Sequence, residues 1–304
     1  MATSQSALAR PALMVGVTTH LKDYYELTKP EVNLLILMAT SAGFYLGSRG
    51  AFHFGRLTNT LVGTLLVASG TATLNQWMER VWDAKMRRTA NRPLPSGRLP
   101  SSHAFTFGIL LSIGGALYLA FTVNVLAALL ATSTLLSYLL VYTPLKRKTA
   151  LCTMLGAIPG AMPTLIGWAG GAGRIDGQAW FLFAILFLWQ FPHFLAIALM
   201  YREDYSRAGY RMLPKFDHDS RFTRAEILVF TGALIITTLL PAVSGGRPIS
   251  ILGMTLAGAF MLFYSLKLTK SRSNALASRL LHASVIYLPI VLGIMMAGKA
   301  WAKV

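Results

Sequence analysis

The sequence is poor in charged residues and nearly free of cysteine. Only 13% of its 304 residues are charged, whereas a soluble domain carries about 25%. The single cysteine, Cys152, excludes a disulfide within the chain, and its apolar neighbours favour a small packing residue over a reactive thiol. Hydrophobic residues make up 54% of the chain, and the mean hydropathy is +0.54. These values exclude a disulfide-stabilised soluble domain and indicate an integral membrane protein.

Apolar runs long enough to cross a bilayer recur along the whole chain. A span needs about 20 mostly apolar residues, and a helix bonds its own backbone groups inside the hydrocarbon. The sequence therefore predicts an all-α polytopic membrane protein with nine transmembrane helices. Their approximate ranges are Val32–Leu46, Leu57–Met78, Ser102–Phe121, Val123–Tyr142, Thr149–Trp168, Ala179–Met200, Ala225–Val243, Ile249–Leu268 and Leu280–Met296.

Acidic residues are scarce, with 11 against 28 Lys and Arg, and the net charge is +17. With the N-terminus placed in the cytoplasm, 22 of the 28 cations fall in cytoplasmic segments. The positive-inside bias then predicts an integral protein of the cell (inner) membrane, with a cytoplasmic N-terminus and the C-terminus on the opposite face. A strongly basic chain can also bind nucleic acid. Here the distribution favours topology and attraction to anionic lipid headgroups, so no nucleic-acid partner is expected.

Three oxygen-bearing side chains recur at the end of the second predicted span. Asn75, Glu79 and Asp83 are spaced i, i+4 and i+8, so each step advances a helix by only about 40° and all three share one face. Such hard oxygen ligands suit Mg²⁺ together with substrate phosphates. The alternative is a solvated helix end with i,i+4 pairs such as Asp83–Arg87. Cations suited to a diphosphate follow directly, namely Lys85, Arg87, Arg88, Arg92 and Arg98.

A second cluster reads Trp189-Gln-Phe-Pro-His193-Phe and continues as Tyr201-Arg-Glu203-Asp204-Tyr205. His193 and Asp204 are eleven residues apart, close to three turns, so they share a face at different depths. His193 lies within the predicted membrane span. The spacing leaves open a packing histidine bonded to a neighbouring backbone carbonyl.

A short cationic loop, Tyr142-Thr-Pro-Leu-Lys146-Arg147-Lys148, lies on the same predicted side. It contacts phosphate or only supplies positive-inside charge. For Arg147 and Lys148, the second reading is favoured.

Together these motifs resemble the protohaem IX farnesyltransferases, also called haem O synthases, within the UbiA-type superfamily of intramembrane prenyltransferases. The resemblance extends from Thr28-Lys29-Pro30 to the last spans. It rests on Asn75-x-x-x-Glu79-x-x-x-Asp83, Met86-Arg87-Arg88-Thr89, Asn91-Arg92-Pro93-Leu94-Pro95, Tyr142-Thr-Pro-Leu-Lys146-Arg147, Trp189-Gln-Phe-Pro-His193-Phe, Asp204-Tyr205, Gly209 and Met212-Leu213-Pro214.

The resemblance implies nine helices around a lipid-facing cavity. A cytoplasmic arm at residues 1–27 would precede a single intramembrane domain at residues 28–304. The implied reaction transfers farnesyl from farnesyl diphosphate to a vinyl group of protohaem IX (haem B) and adds water, giving haem O. Mg²⁺ would accompany the diphosphate, and haem would be a substrate and not a cofactor. Membrane lipid and a downstream haem O-oxidising enzyme are the other partners implied.

Roles follow from the same resemblance. Metal binding falls to Asn75, Glu79 and Asp83, which are also catalytic together with Arg87 and Arg88. His193 would face haem, as an axial iron ligand or as a propionate or ring contact. The substrate-binding residues implied are Lys29, Arg92, Tyr142, Lys146, His193, Tyr201 and Asp204.

The sequence departs from the wider superfamily at two positions. Glu79 stands where aspartate is usual, and Tyr-Arg-Glu-Asp-Tyr replaces a run of spaced aspartates. Both departures are shared with the haem branch, and they place a second Mg²⁺ in doubt. A prenyltransferase of a phenolic quinone precursor is the alternative. A multi-helix transporter is disfavoured because the acids cluster at the cytoplasmic ends of the spans, away from the midplane.

Overall fold

The computed structural model describes residues 20–217, 219–243, 247–271 and 273–298, and within these ranges the chain is helical with no β-strand. The all-α prediction is confirmed. A π-helical turn, Ser137–Tyr142, and three short helices, Thr143–Leu145, Arg202–Arg207 and Leu213–Phe216, lie between the long helices. The nine long helices of the described residues are α1 Pro30–Gly47, α2 Phe54–Asp83, α3 Ser101–Thr122, α4 Val125–Leu136, α5 Cys152–Ala172, α6 Gly177–Met200, α7 Arg221–Val243, α8 Pro248–Lys270 and α9 Asn274–Gly298.

Eight of these helices are long and apolar enough to cross a membrane, with α4 counted together with its extension to Leu145. The remaining helix, α1, has 18 residues and includes Glu31 and Asn33, which lower its hydropathy. The predicted first span is therefore present as a helix but is not among the eight that are long and apolar enough to cross a membrane. Its place in the bundle depends on packing against α5.

Glycines bring α1 and α5 into close backbone contact. A Cβ added at Gly43 would lie 2.2 Å from the carbonyl oxygen of Thr164, and one added at Gly167 would lie 2.0 Å from that of Thr40. Helices in a bilayer associate by such close van der Waals packing of small residues, because lipid provides no hydrophobic drive between them. This contact fixes α1, and with it the position of Lys29 at its N-terminus.

Contacts between the connections show which of them share an end of the bundle. Arg49 follows α1 and lies 3.6 Å from Asp176, which follows α5. At the other end, the backbone N–H of Arg211 donates to the carbonyl of Lys146 at 2.8 Å, so the connections after α4 and α6 meet there. The cation-rich connections thus lie together, as the alternation of spans predicts.

The predicted N-terminal arm lies partly outside the described residues, because the description begins at residue 20. Residues 20–27 are helical, and Leu27 is fully buried. Arg98 pairs with Asp23 at 2.8 Å and with Glu26 at 2.8 Å, which joins this segment to the connection after α2.

The first prediction concerns orientation. Ser96 and Ala51 are exposed at opposite ends of the bundle, and the native Cys152 is fully buried, so single-cysteine labelling has little background. Because cations concentrate on the Ser96 side, we expect an impermeant maleimide to label Ala51→Cys in intact cells and Ser96→Cys only after the cells are opened. Labelling of both variants from the same face would contradict the nine-helix arrangement.

The second prediction concerns the α1–α5 contact. Gly43→Ala forces a methyl group against a backbone carbonyl, and overpacking of this kind costs about 1–3 kcal/mol. We expect the purified variant to denature at a temperature several degrees lower than the parent. Gly114→Ala in α3 is the control, since a Cβ at that position has no neighbour within 4 Å. Equal thermal stability of the two variants would show that α1 and α5 do not pack this closely.

Candidate active site

A small polar cavity of about 120 Å³ lies at the cation-rich end of the bundle. It is enclosed by the end of α2, the extension of α4 and the loop after α6. We call it the diphosphate-sized cavity. Of the predicted site residues, those that line it are Lys29, Asn75, Glu79, Asp83, Arg88, Arg92, Tyr142 and Lys146.

The three oxygen-bearing side chains of α2 lie on one wall of this cavity, as their spacing predicts. Asn75, Glu79 and Asp83 are 1%, 6% and 2% exposed. Burial of carboxylates at this level is costly unless each is paired and hydrogen-bonded. The stability of these side chains in their buried positions therefore depends on their hydrogen-bond and ion-pair partners.

Each of the three oxygens is held by a cation from a different part of the chain. The Lys29 ammonium donates to Oδ1 of Asn75 at 3.1 Å. The Lys146 ammonium donates to both carboxylate oxygens of Glu79, at 2.9 and 3.1 Å. Arg92 donates to Oδ2 of Asp83 at 2.8 Å. The Asp83–Arg87 pair of the solvated-helix alternative does not form, since the partner of Asp83 is Arg92.

The donor set fits a metal ion that arrives with its ligand. Within the described ranges, no three His, Cys, Asp or Glu side chains are grouped closely enough to hold a metal by themselves. Mg²⁺ binds proteins through one or two carboxylates and completes its octahedron with phosphate oxygens and water. Two carboxylates and an amide beside several cations match that requirement, and they match a diphosphate as well.

The cavity changes the acidity of its two lysines in opposite directions. Burial opposes the charged form of Lys146, but the adjacent Glu79 carboxylate holds its pKa well above the ordinary value. Burial, followed by the nearby charges of Arg92 and Lys146, lowers the pKa of Lys29 to about 7. An anion bound in the cavity would favour the charged form of Lys29 again.

The backbone conformation at Lys29 places its side chain in the lining of the cavity. Lys29 has φ 51° and ψ 65°, in the left-handed region that few non-glycine residues adopt. The Asn33 amide donates to the carbonyl of Thr28 at 2.9 Å, and the Gln76 amide donates to that of Leu27 at 2.9 Å. These two bonds fix the carbonyl groups of the two residues before Lys29 and offset the strain of the turn.

A π-helical turn positions two tyrosines at the opposite wall. Within Ser137–Tyr142, the rings of Tyr138 and Tyr142 lie 4.9 Å apart. The Lys146 ammonium lies 4.5 Å from the centre of the Tyr142 ring. Gly156 of α5 makes room for that ring, because a Cβ there would lie 2.5 Å from its Cδ2 atom. Single π-turns of this kind often occur at functional sites.

Five lining residues received no role from the sequence: Tyr138, Tyr205, Tyr210, Met86 and Met212. Three of them, Met86, Tyr205 and Met212, lie within motifs of the family resemblance. Tyr210 matters most, because its hydroxyl donates to Oε1 of Glu79 at 3.1 Å. Tyr138 precedes Tyr142 by four residues, and that spacing on an amphipathic span was an available signal. Nothing local to Tyr210 indicates a partner 131 positions earlier.

The second acidic motif lies in a different cavity. Asp204 accepts a hydrogen bond from the backbone N–H of Arg88 at 3.4 Å and forms an ion pair with Arg207. It lines a larger neighbouring cavity of about 650 Å³ together with Tyr201 and Arg87, while Arg88 lines both cavities. Asp204 and Tyr201, predicted to bind substrate, and Arg87, predicted to be catalytic, therefore line a different cavity from Glu79 and Asp83.

His193 lies deeper in the bundle and lines neither cavity. Its Nδ1 atom is 2.8 Å from the Ser284 hydroxyl of α9, and its ring stacks on Trp189 with 4.6 Å between centres. Its partner is thus a side-chain hydroxyl and not a backbone carbonyl. His193 precedes Met200 by seven residues, which places it about 10 Å from the end of α6.

Comparison with known proteins extends these observations. The chain is 48% identical over 290 residues to Protoheme IX farnesyltransferase of Solibacter usitatus, covering 92% of this chain and 99% of the relative. It is 41% identical over 309 residues to the protein of the same name from Koribacter versatilis, covering 98% of each.

Two solved structures share the fold. A digeranylgeranylglyceryl phosphate synthase superposes with a TM-score of 0.75 at 18% identity, covering 92% of this chain and 99% of that one. A UbiA homolog from Archaeoglobus fulgidus bound to GPP and Mg²⁺ has a TM-score of 0.64 at 16% identity, covering 90% and 99%. The profile of the UbiA prenyltransferase family matches residues 36–292. On this match and on its close relatives, the chain belongs to the UbiA prenyltransferase family.

Proposed function

We propose that this protein is an intramembrane prenyltransferase that transfers a farnesyl group from farnesyl diphosphate to a vinyl group of protohaem IX. Water adds in the same reaction, and the product is haem O. Relatives of 48% and 41% identity over nearly the whole chain carry the name of this activity. A phenolic acceptor, the alternative from sequence, has no comparable support.

One observation carries the donor half of this proposal. Two buried carboxylates and an amide face the same small cavity as Lys29, Lys146 and Arg92. A group that is both metal-binding and strongly anionic satisfies both sets of charges, and a diphosphate has these properties. A solved relative of the same fold is bound to GPP and Mg²⁺, which supports the same reading.

The protein's own residues then act on the leaving group. Asn75, Glu79 and Asp83 would hold Mg²⁺. The ion would neutralise the negative charge that develops on the leaving diphosphate. Lys29 donates to the amide oxygen of Asn75, Lys146 and Arg92 pair with Glu79 and Asp83, and all three cations line the cavity. These donors are fixed before the substrate arrives, so little reorganisation opposes their stabilisation of the leaving diphosphate.

Bond making and breaking follow from this arrangement. The bond between C1 of the farnesyl group and the diphosphate oxygen breaks, and its electron pair leaves with the diphosphate. The terminal carbon of a haem vinyl group attacks the allylic cation, and the new cation on the inner vinyl carbon takes up water and releases a proton. Tyr138 and Tyr142 line the cavity, and an aromatic ring whose face meets a cation stabilises it by about 0.5–2 kcal/mol.

His193 is proposed to serve the acceptor as an iron ligand. The Ser284 hydroxyl donates to the carbonyl of Leu281 at 2.7 Å, so its proton is already used. The bond between Ser284 and Nδ1 of His193 then requires Nδ1 to carry the hydrogen. Nε2 is left with the free lone pair, which is the form that binds iron.

The same proposal gives the protein its orientation. The cation-rich end with the cavity faces the cytoplasm, where a soluble diphosphate headgroup is available, and the C-terminus lies on the opposite face of the inner membrane. Residues 28–304 form one functional domain in this view. A downstream haem O-oxidising enzyme is the expected consumer of the product.

A direct assay tests the activity. Purified protein should convert haem and farnesyl diphosphate into a pigment heavier by one farnesyl group and one hydroxyl, identified by mass spectrometry. Release of pyrophosphate should depend on haem. Farnesylation of a phenol in place of haem would overturn the proposed acceptor.

The third prediction concerns the metal motif. Asp83→Asn removes a carboxylate whose metal-mediated charge stabilisation is worth several kcal/mol in the transition state. We expect turnover to fall by about 100-fold or more and the Mg²⁺ requirement to rise. Asp23→Asn is the matched control, because Asp23 is also a buried acid paired with an arginine but lies outside the cavity. Near-normal turnover of Asp83→Asn at limiting Mg²⁺ would exclude Asp83 as a ligand.

The fourth prediction concerns His193. His193→Ala should weaken haem binding and shift the haem absorption spectrum, because an imidazole ligand to iron is lost. Farnesyl diphosphate affinity should remain close to that of the parent. His282→Ala is the control, since this exposed histidine bonds only to its own helix at the Ser278 carbonyl. A parental spectrum and affinity for His193→Ala would make the histidine a packing residue.

A further inference from the structure

The larger of the two cavities is lined by five arginines and has no role in the donor chemistry described above. It measures about 650 Å³, within the range of about 300–1,000 Å³ typical of ligand pockets. It lies at the cation-rich end, between the end of α6, the starts of α7 and α9 and the end of α8. We call it the arginine cavity. Its charged residues are Arg87, Arg88, Arg202, Arg207 and Arg224 against Glu203 and Asp204.

Three of the five arginines already have partners. Arg207 pairs with Asp204. Arg224 donates to the carbonyls of Ser220 and Thr269 and thereby joins α7 to the end of α8. Arg88 donates to the Tyr205 hydroxyl at 3.1 Å and lies 5.2 Å from the centre of the Tyr201 ring. These contacts fix the positions of three arginine side chains in the wall of the cavity. Arg87 and Arg202 are the two that remain.

The guanidinium groups of Arg87 and Arg202 make no hydrogen bond or ion pair in the part of the chain that the structure describes. Arg202 is only partly exposed, so its charge is not fully solvated. Two arginines without acidic partners in one concave site attract an anion, and the planar guanidinium matches a carboxylate or phosphate. The lining also contains more arginines than acids, so its net charge is positive and favours an anion.

Beside the charged residues and the polar side chains of Tyr201, Ser220, Ser273 and Asn274, the arginine cavity has an apolar part. Leu199 and Met200 of α6, Leu268 of α8 and Ala277 of α9 form it. A free phosphate gains nothing from such a surface, whereas a molecule with an apolar body and an anionic edge uses both walls. The cavity therefore favours an amphipathic acid.

The arginine cavity also adjoins the diphosphate-sized cavity and lies in line with the His193–Ser284 pair. Arg88 lines both this cavity and the diphosphate-sized cavity. Met200 and Ala277 lie seven residues, or about two turns, from His193 and Ser284 on the same faces of α6 and α9. The His193–Ser284 pair is therefore about 10 Å deeper along the same seam between the two helices.

We propose that the arginine cavity binds the two propionate carboxylates of the haem acceptor, with Arg87 and Arg202 as their principal donors. This inference rests on the proposed function, in which haem is the acceptor. It assigns a binding site to the two carboxylates of the haem. It also moves Arg87 from the farnesyl diphosphate, where its place in the sequence puts it, to the haem.

Haem and haem dimethyl ester, whose propionates are uncharged, are the probes for this site. Their affinities are measured by absorption titration of the full-length protein in detergent without farnesyl diphosphate. Arg202→Gln and Arg87→Gln should each weaken haem binding about tenfold, because a charge-assisted hydrogen bond is lost. Binding of the dimethyl ester should stay unchanged. Lys148→Gln, which removes an exposed cation outside both cavities, should alter neither affinity.

Other sources of the anion give different results. Loss of pyrophosphate affinity in Arg202→Gln with haem affinity unchanged would assign the cavity to the diphosphate and overturn the proposal. Haem binding altered only in nanodiscs that contain anionic phosphatidylglycerol would assign it to a lipid headgroup, with the same consequence. Failure of the wild-type protein to farnesylate haem would count against the proposed function, whereas equal haem affinity of parent and variants counts against this inference alone.

Discussion

The buried pair of Glu79 and Lys146 is the interaction on which the site depends. It joins α2 to the loop after α4, and Tyr210 adds the loop after α6 through the same carboxylate. Two charges this deep recover their desolvation cost only with good geometry and further hydrogen bonds. Removing either partner alone would leave an unpaired buried charge, at a cost of about 3–5 kcal/mol. The pair thus holds the end of α2 and two connections in one arrangement around a cavity.

The same requirement explains why the site stands at the end of the bundle and not at its centre. Acids within hydrocarbon need cations, and the cations reside in the connections after α2 and α4 and at the N-terminus of α1. The glycine contact between α1 and α5 then sets where Lys29 can reach. Helix packing and electrostatics are therefore linked, since a shift of α1 would separate Lys29 from Asn75.

In the proposed function, two adjacent cavities with different linings divide the recognition of the two substrates. The smaller one combines acids with cations and suits a metal-bound diphosphate. The larger one has arginine on one wall and apolar side chains on the other, and Arg88 belongs to both. Placing the donor and acceptor sites side by side in this way would bring the allylic carbon and the vinyl group together without a large motion of either substrate.

Periodicity and composition settled the local part of this structure. The apolar runs determined the long helices, and the spacing of Asn75, Glu79 and Asp83 determined their shared face, because both follow from 3.6 residues per turn. The distribution of cations predicted that the basic connections share one end. These properties depend only on neighbours along the chain.

The tertiary structure alone decided which side chains meet across the bundle. It gave Glu79 its partners Lys146 and Tyr210, brought Asp204 to the backbone N–H of Arg88, 116 positions away, and joined His193 to Ser284, 91 positions away. Such pairs depend on how nine helices pack and where their connections fold back. No local period encodes that arrangement, because each contact joins segments whose separation in the chain bears no relation to a helical turn.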